Sequence, residues 1–152
     1  MTESKRLITI FNDVIQVCHA ARQGYDSAAA HVESPDLQKR LTTFAAQRAK
    51  FITELEQTVV ALGGKPHNGD NLLARLHRGW MDIKAARTQH GDDGVLAECE
   101  RGEQYAMQHY MDAMAANLPD SQHYQLLAQY KQIKAAYTEL HTLRKSLVEV
   151  PG

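Results

Sequence analysis

The chain has 152 residues, 43% hydrophobic and 23% charged, with a formal net charge of −1. This composition is ordinary for a soluble globular protein and sufficient for one buried core, so the chain reads as a single domain over residues 1–152. Neither sign of charge clusters, no apolar run approaches the ~20 residues of a membrane span, and no signal peptide is expected, which excludes nucleic-acid and membrane partners from this reading and favours the cytoplasm.

Apolar residues at Leu7, Phe11, Val14, Cys18, Ala21, Tyr25, Ala28 and Val32 recur in steps of three and four, predicting a helix over about 4–32. Ser34-Pro35-Asp36 then supplies a cap, a proline for the first helical position and an acid for the first turn. The second helix carries Leu37, Leu41, Phe44, Arg48, Phe51, Leu55, Thr58 and Leu62 on its stripe and stops at Gly63-Gly64, ahead of Pro66. A polar loop leads to a medium helix from about Asn71 to Thr88, with Leu72, Leu76, Trp80 and Ile83 on one side. The cluster His90-Gly91-Asp92-Asp93-Gly94 breaks it. A third long helix is expected from about Gly94 to Asn117. A fourth follows from Pro119 or Asp120 to Leu147, with Leu126, Tyr130, Ile133, Tyr137, Leu140, Arg144 and Leu147 on its stripe. No stretch alternates as a strand would.

The connections decide the topology. Very short links join helices one and two, and again three and four, so each pair is an antiparallel hairpin. A long connection with its own helix separates the hairpins. That is the wiring of an all-α, ferritin-like four-helix bundle running up, down, down, up, with an additional helix in the crossover.

Polar residues interrupt the buried stripes at one level. On helix three the stripe reads Leu96, Glu100, Glu103, Met107, Tyr110, Met114, so two carboxylates stand where apolar residues belong. Arg48 does the same on helix two, while Tyr25 and Tyr137 bring hydroxyls and His141 an imidazole near the same depth. A buried charge must be paired, hydrogen-bonded, neutralised or metal-bound. One reading is therefore a structural polar layer of Tyr25, Arg48, Glu100, Glu103 and Tyr137. The other is a carboxylate metal site for iron or manganese that uses Glu100, Glu103 and His141. The dinuclear pattern needs a Glu-x-x-His pair on each of two helices, and helix two has none. Gly24 and Gly102, interior to their helices and at nearly the same level, point to a close backbone approach or to space left for a ligand.

Other candidates are weaker in pattern. His77, Arg78 and Trp80 could form a partner face on the middle helix, although an indole there also suits a pin between that helix and the bundle. Cys18 and Cys99 lie far apart inside helical patterns and read as reduced, buried small residues. No glycine-rich phosphate loop, nucleophile elbow or zinc spacing is present, and no residue is assigned as catalytic.

Four segments carry a resemblance: Arg22-Gln23-Gly24-Tyr25, Leu62-Gly63-Gly64-Lys65-Pro66, Leu76 to Ala85 around His77-Arg78-Gly79-Trp80, and Cys99-Glu100-Arg101-Gly102-Glu103. Through them the chain resembles a bacterial family of ferritin-like four-helix-bundle proteins without an assigned function, from about Leu7 to Leu143. The resemblance implies the ferritin-like fold and no established activity. Of the wider superfamily's metal ligands, only Glu100 or Glu103 could match, and Tyr137 stands where relatives often carry histidine. The chain is accordingly read as a non-catalytic bundle with a buried Glu/Arg/Tyr layer. Metal binding is its alternative, and self-association as a homo-oligomer stays open.

Overall fold

The computed structural model describes residues 2–69, 80 and 82–149, with side chains described as far as Leu147. Four long helices organise the described residues: α1 (Glu3–His31), α2 (Pro35–Ala61), α3 (Ile83–Met114) and α4 (Asp120–Glu149). Local chemistry sets their ends. Thr2 caps α1 by accepting from the Lys5 amide at 3.1 Å, and Ser34 caps α2 by accepting from the Leu37 amide at 3.3 Å. Gly63, at φ +88°, closes α2: the Gly63 and Gly64 amides return to the Val60 and Val59 carbonyls, both at 2.9 Å. This paired return needs a left-handed residue, which glycine supplies without strain.

Directions follow from the residues that meet. Tyr25 of α1 packs on Phe44 of α2, while Asn12, nearer the start of α1, bonds Lys65 just beyond the end of α2. Cys18 meets Tyr110 and Tyr25 meets Glu103, so α1 and α3 are antiparallel. Tyr110 meets Gln129 and Glu100 meets Arg144, so α3 and α4 are antiparallel too. Main chains pack closely for α1 with α2, α1 with α3 and α3 with α4. Side chains tie α2 to α4, through Arg40 to Glu139 at 2.8 Å and Thr58 to Gln125 at 2.9 Å. The result is the expected up, down, down, up bundle, with α2 and α3 on a diagonal.

The middle of the chain differs from expectation. Residues 71–79 of the anticipated medium helix lie outside the described residues. Residues 83–90 are helical, but they continue into α3 through a kink at Gly91 instead of ending before a separate helix. Gly91 adopts φ +63°, ψ −149°, a region that is essentially glycine's alone. Gly94 completes the bend, because a Cβ there would fall 2.4 Å from the Ala86 carbonyl oxygen. The polar cluster thus bends the helix without stopping it. At its other end α3 stops at Met114, earlier than Asn117, which takes a left-handed φ of 57°.

The crossover is strapped onto α1. Asn12 donates to the Lys65 carbonyl at 3.1 Å and accepts from the His67 amide at 2.9 Å; one turn on, Gln16 pairs with the His67 ring at 3.2 Å. Further along, Trp80 is buried at the level of Gly24. At the opposite end of the bundle from Lys65, the Asp92 carboxylate accepts the Glu33 and Ser34 amides at 2.9 and 3.2 Å and so ties the α1–α2 turn to α3.

All eight stripe residues expected on α1 are buried. On α2 the first six are buried and then the register slips, so that Val59 replaces Thr58. On α3 the small residues Ala106 and Ala113 take the positions expected for Met107 and Met114. On α4 Gln129 and Ala136 are buried where Tyr130 and Tyr137 were expected, and Leu147 is exposed.

Candidate functional site

Three helices contribute to one polar layer inside the apolar core. Arg48 of α2 and Glu103 of α3, diagonal partners, are both 0% exposed and form an ion pair between Arg48 Nη2 and Glu103 Oε2. The Tyr25 hydroxyl of α1 donates to that same carboxylate oxygen at 2.5 Å. The guanidinium carbon lies 5.6 Å from the Tyr25 ring centroid and 6.0 Å from that of Phe51, within reach of the ring quadrupoles. Burial is the largest single influence on Arg48 and opposes its charge, but Glu103, Tyr25 and Cys18 acting together exceed it and raise the guanidinium above its ordinary value. Burial, and then the Glu103 charge, push the Tyr25 hydroxyl well above its ordinary range, so it stays a donor.

Glu100 is not part of this layer. It is 8% exposed but turns toward the bundle surface, where Arg144 Nη1 donates to it at 2.8 Å and His141 Nδ1 lies 3.3 Å away. Arg144, expected on the buried stripe, also donates to Asp93 at 3.0 Å. The bond to Asp93, offset in part by burial and reinforced by Glu100, raises the Arg144 guanidinium above its ordinary value. Tyr137 is likewise outside the layer. Its hydroxyl accepts from Gln104 at 3.0 Å on the exposed side of the α3–α4 seam, and the adjacent Ala136 faces the core. Space explains the exchange: the layer already holds Tyr25, Arg48, Glu103 and an indole, so α4 has room for a methyl group there.

That indole belongs to Trp80. A Cβ on Gly24 would lie 2.2 Å from its Cδ2, and one on Gly102 would lie 2.2 Å from its Cε2. The two helix-interior glycines therefore sandwich the ring between α1 and α3. Tyr25 meets it edge-on with centroids 4.8 Å apart. At 3% exposure Trp80 presents no surface to a partner, which corrects the partner-face reading in favour of the pin. His77 and Arg78 lie outside the described residues.

Below the ion pair a second chain of bonds runs outward. Cys18 Sγ meets the Tyr110 hydroxyl at 3.2 Å, Tyr110 donates to Gln129 at 2.7 Å, and Gln129 donates to Glu54 at 3.1 Å. Neither the Cys18–Tyr110 contact nor the buried Gln129 was legible from spacing. Burial pushes the Cys18 thiol up to about 11. Unfolded, it ionises near its ordinary value of 9.0, so its contribution to stability is full below that pH and is lost as pH climbs to about 11. The folded protein should resist alkylation at Cys18 near pH ~8 and react on unfolding, as mass spectrometry of the labelled chain would show.

The metal reading can be tested against these donors. Glu103 is engaged by a cation of the protein itself. Glu100 and His141 form a separate group, with the Arg144 charge on the same carboxylate. Among the described residues no three His, Cys, Asp or Glu side chains are grouped to hold a metal ion. Among the described residues, Glu100, Glu103 and His141 do not come together as a carboxylate metal centre.

Comparison with known proteins places this geometry. A family described as "Domain of unknown function (DUF2383)" matches residues 6–116. No curated protein matches the chain by sequence. Among solved structures, a mutant Dps1 of Mycobacterium smegmatis superposes with a TM-score of 0.81 at 10% identity, covering 95% of this chain and 99% of its own. The bacterioferritin-related protein of Bacteroides fragilis, described as a dodecameric thioferritin, superposes with a TM-score of 0.66 at 17% identity, covering 97% and 86%. The superpositions show a shared ferritin-like fold, and at these identities the fold alone.

Proposed function

The chain belongs to the DUF2383 family of ferritin-like bundles, and from that membership together with the buried layer we propose that it is a non-catalytic helical-bundle protein in which the guanidinium of Arg48 takes the central position that a metal ion would occupy in a carboxylate centre. The observation that carries this reading is the fully buried Arg48–Glu103 pair with Tyr25 on the same oxygen. A positive charge fixed against the one fully buried carboxylate of the layer supplies the neutralisation that iron or manganese would otherwise bring. Calorimetric titration of the purified chain with ferrous or manganous ion under anaerobic conditions should give no stoichiometric binding. Binding at one equivalent or more that disappears in Glu103→Ala would overturn the proposal.

We propose further that the protein is cytoplasmic and self-associates. Similarity to a dodecameric neighbour supports self-association, as do exposed Val60 and Tyr124 at the end of the bundle where Thr58 meets Gln125. Sedimentation velocity should resolve a species heavier than 17.0 kDa; a monomer at all concentrations would reject it.

A further inference from the structure

The Arg48–Glu103 pair leaves one polar atom of each partner without a bond. A guanidinium and a carboxylate usually meet as two parallel forks, each using two atoms. Here Glu103 Oε2 receives both Arg48 Nη2 and the Tyr25 hydroxyl, and the other end of each charged group is left over. Arg48 Nη1 and Glu103 Oε1 are buried and have no hydrogen-bond partner among the described residues. Both side chains are 0% exposed, so bulk solvent does not reach either atom.

We infer that these two atoms flank a binding site for one small neutral molecule that donates to Glu103 Oε1 and accepts from Arg48 Nη1, and that its occupant is a water molecule. The inference rests on the proposed role of Arg48 and assigns what completes it. Charge excludes the alternatives. A second cation beside Glu103 Oε1 would face the Arg48 guanidinium, and an anion beside Nη1 would face the Glu103 carboxylate. An apolar group would leave both charged heads unsatisfied, the least favourable state for a buried ion. A molecule that is donor and acceptor at once satisfies both, and the atoms it must bridge belong to groups already in contact. Buried waters in proteins characteristically take this position, held by two to four polar partners.

The neighbouring apolar surface keeps the site small. Tyr25 is packed between Phe44 and the Trp80 ring, and Phe51 lies beside the guanidinium. Gly24 and Gly102 leave no room nearby, because Trp80 fills the space they open.

A crystal structure of the full chain at high resolution, grown with manganous ion and recorded with anomalous data, tests this directly. The expected result is a density peak without anomalous signal, within hydrogen-bonding distance of both Arg48 Nη1 and Glu103 Oε1. A two-pronged Arg48–Glu103 contact with no such peak overturns the inference while leaving the role of Arg48 intact. An anomalous peak on Glu103 overturns both. In solution, magnetic relaxation dispersion of water should count one long-lived water fewer in the Arg48→Met, Glu103→Leu double variant than in the parent chain. An unchanged count rejects the assignment, and the apolar pair keeps the bundle folded for the comparison.

Discussion

Replacing Arg48 with methionine should lower the free energy of unfolding by about 3–5 kcal/mol, because it strips the counter-charge from a carboxylate that no solvent reaches. Methionine reproduces the apolar stem of arginine and removes its charged head. Glu103 would keep the Tyr25 hydroxyl as its bonded partner, too little to hold an ionised carboxylate in an apolar interior. Adding Glu103→Leu should restore most of the loss, since an apolar pair of similar volume has no unpaired charge to bury. Urea unfolding of the four proteins in the cycle measures the coupling directly. A single-variant loss below about 0.5 kcal/mol, typical of solvated surface positions, would show that the pair is hydrated. Screening should leave the result unchanged between low and high salt, unlike a surface pair.

Gly102→Ala should destabilise by about 3 kcal/mol, at the upper end of the range for overpacking a filled core. Its Cβ would fall 2.2 Å from Trp80 Cε2, and the ring cannot retreat, because Gly24 meets the same indole with the same clearance. The reason is steric, not conformational: no positive φ is recorded at Gly24 or Gly102, and elsewhere in a helix alanine would be the better residue. Combining Gly102→Ala with Trp80→Leu should therefore lose less than the sum of the separate changes. Strict additivity in thermal unfolding would mean that the ring does not occupy the gap.

The regular parts of the fold were legible because they obey one rule. α1 runs beside two neighbours along its length, so an uninterrupted stripe from Leu7 to Val32 points to its buried side. α4 was harder to place. Leu126, Ile133 and Leu140 are compatible with either of two interleaved positions. The larger tyrosines at 130 and 137 drew the prediction, whereas the core takes Gln129 and Ala136. Bulk is a poor guide where another segment fills the volume, and here that segment is the crossover. Arg48, Tyr25 and Glu103 could be found from sequence because charge in an apolar register demands a partner. Glu100 could not be separated from Glu103 by spacing. Its partners, Asp93 through Arg144 and His141 itself, gather just past the Gly91 kink in α3, where α4 approaches its end. The paired glycines signalled a close approach at the right depth without revealing which group approaches.

The segments that carry the family resemblance acquire a physical meaning in this arrangement. Gly24-Tyr25, Trp80 and Gly102-Glu103, remote along the chain, are neighbours around one ring. Such a signature records how the two hairpins lock together. Trp80 is the single tryptophan of the chain and is held by residues from both hairpins at once. Its emission is thus a built-in gauge of assembly: a chain with every helix wound but its halves undocked would give full ellipticity and the red-shifted spectrum of an indole in water.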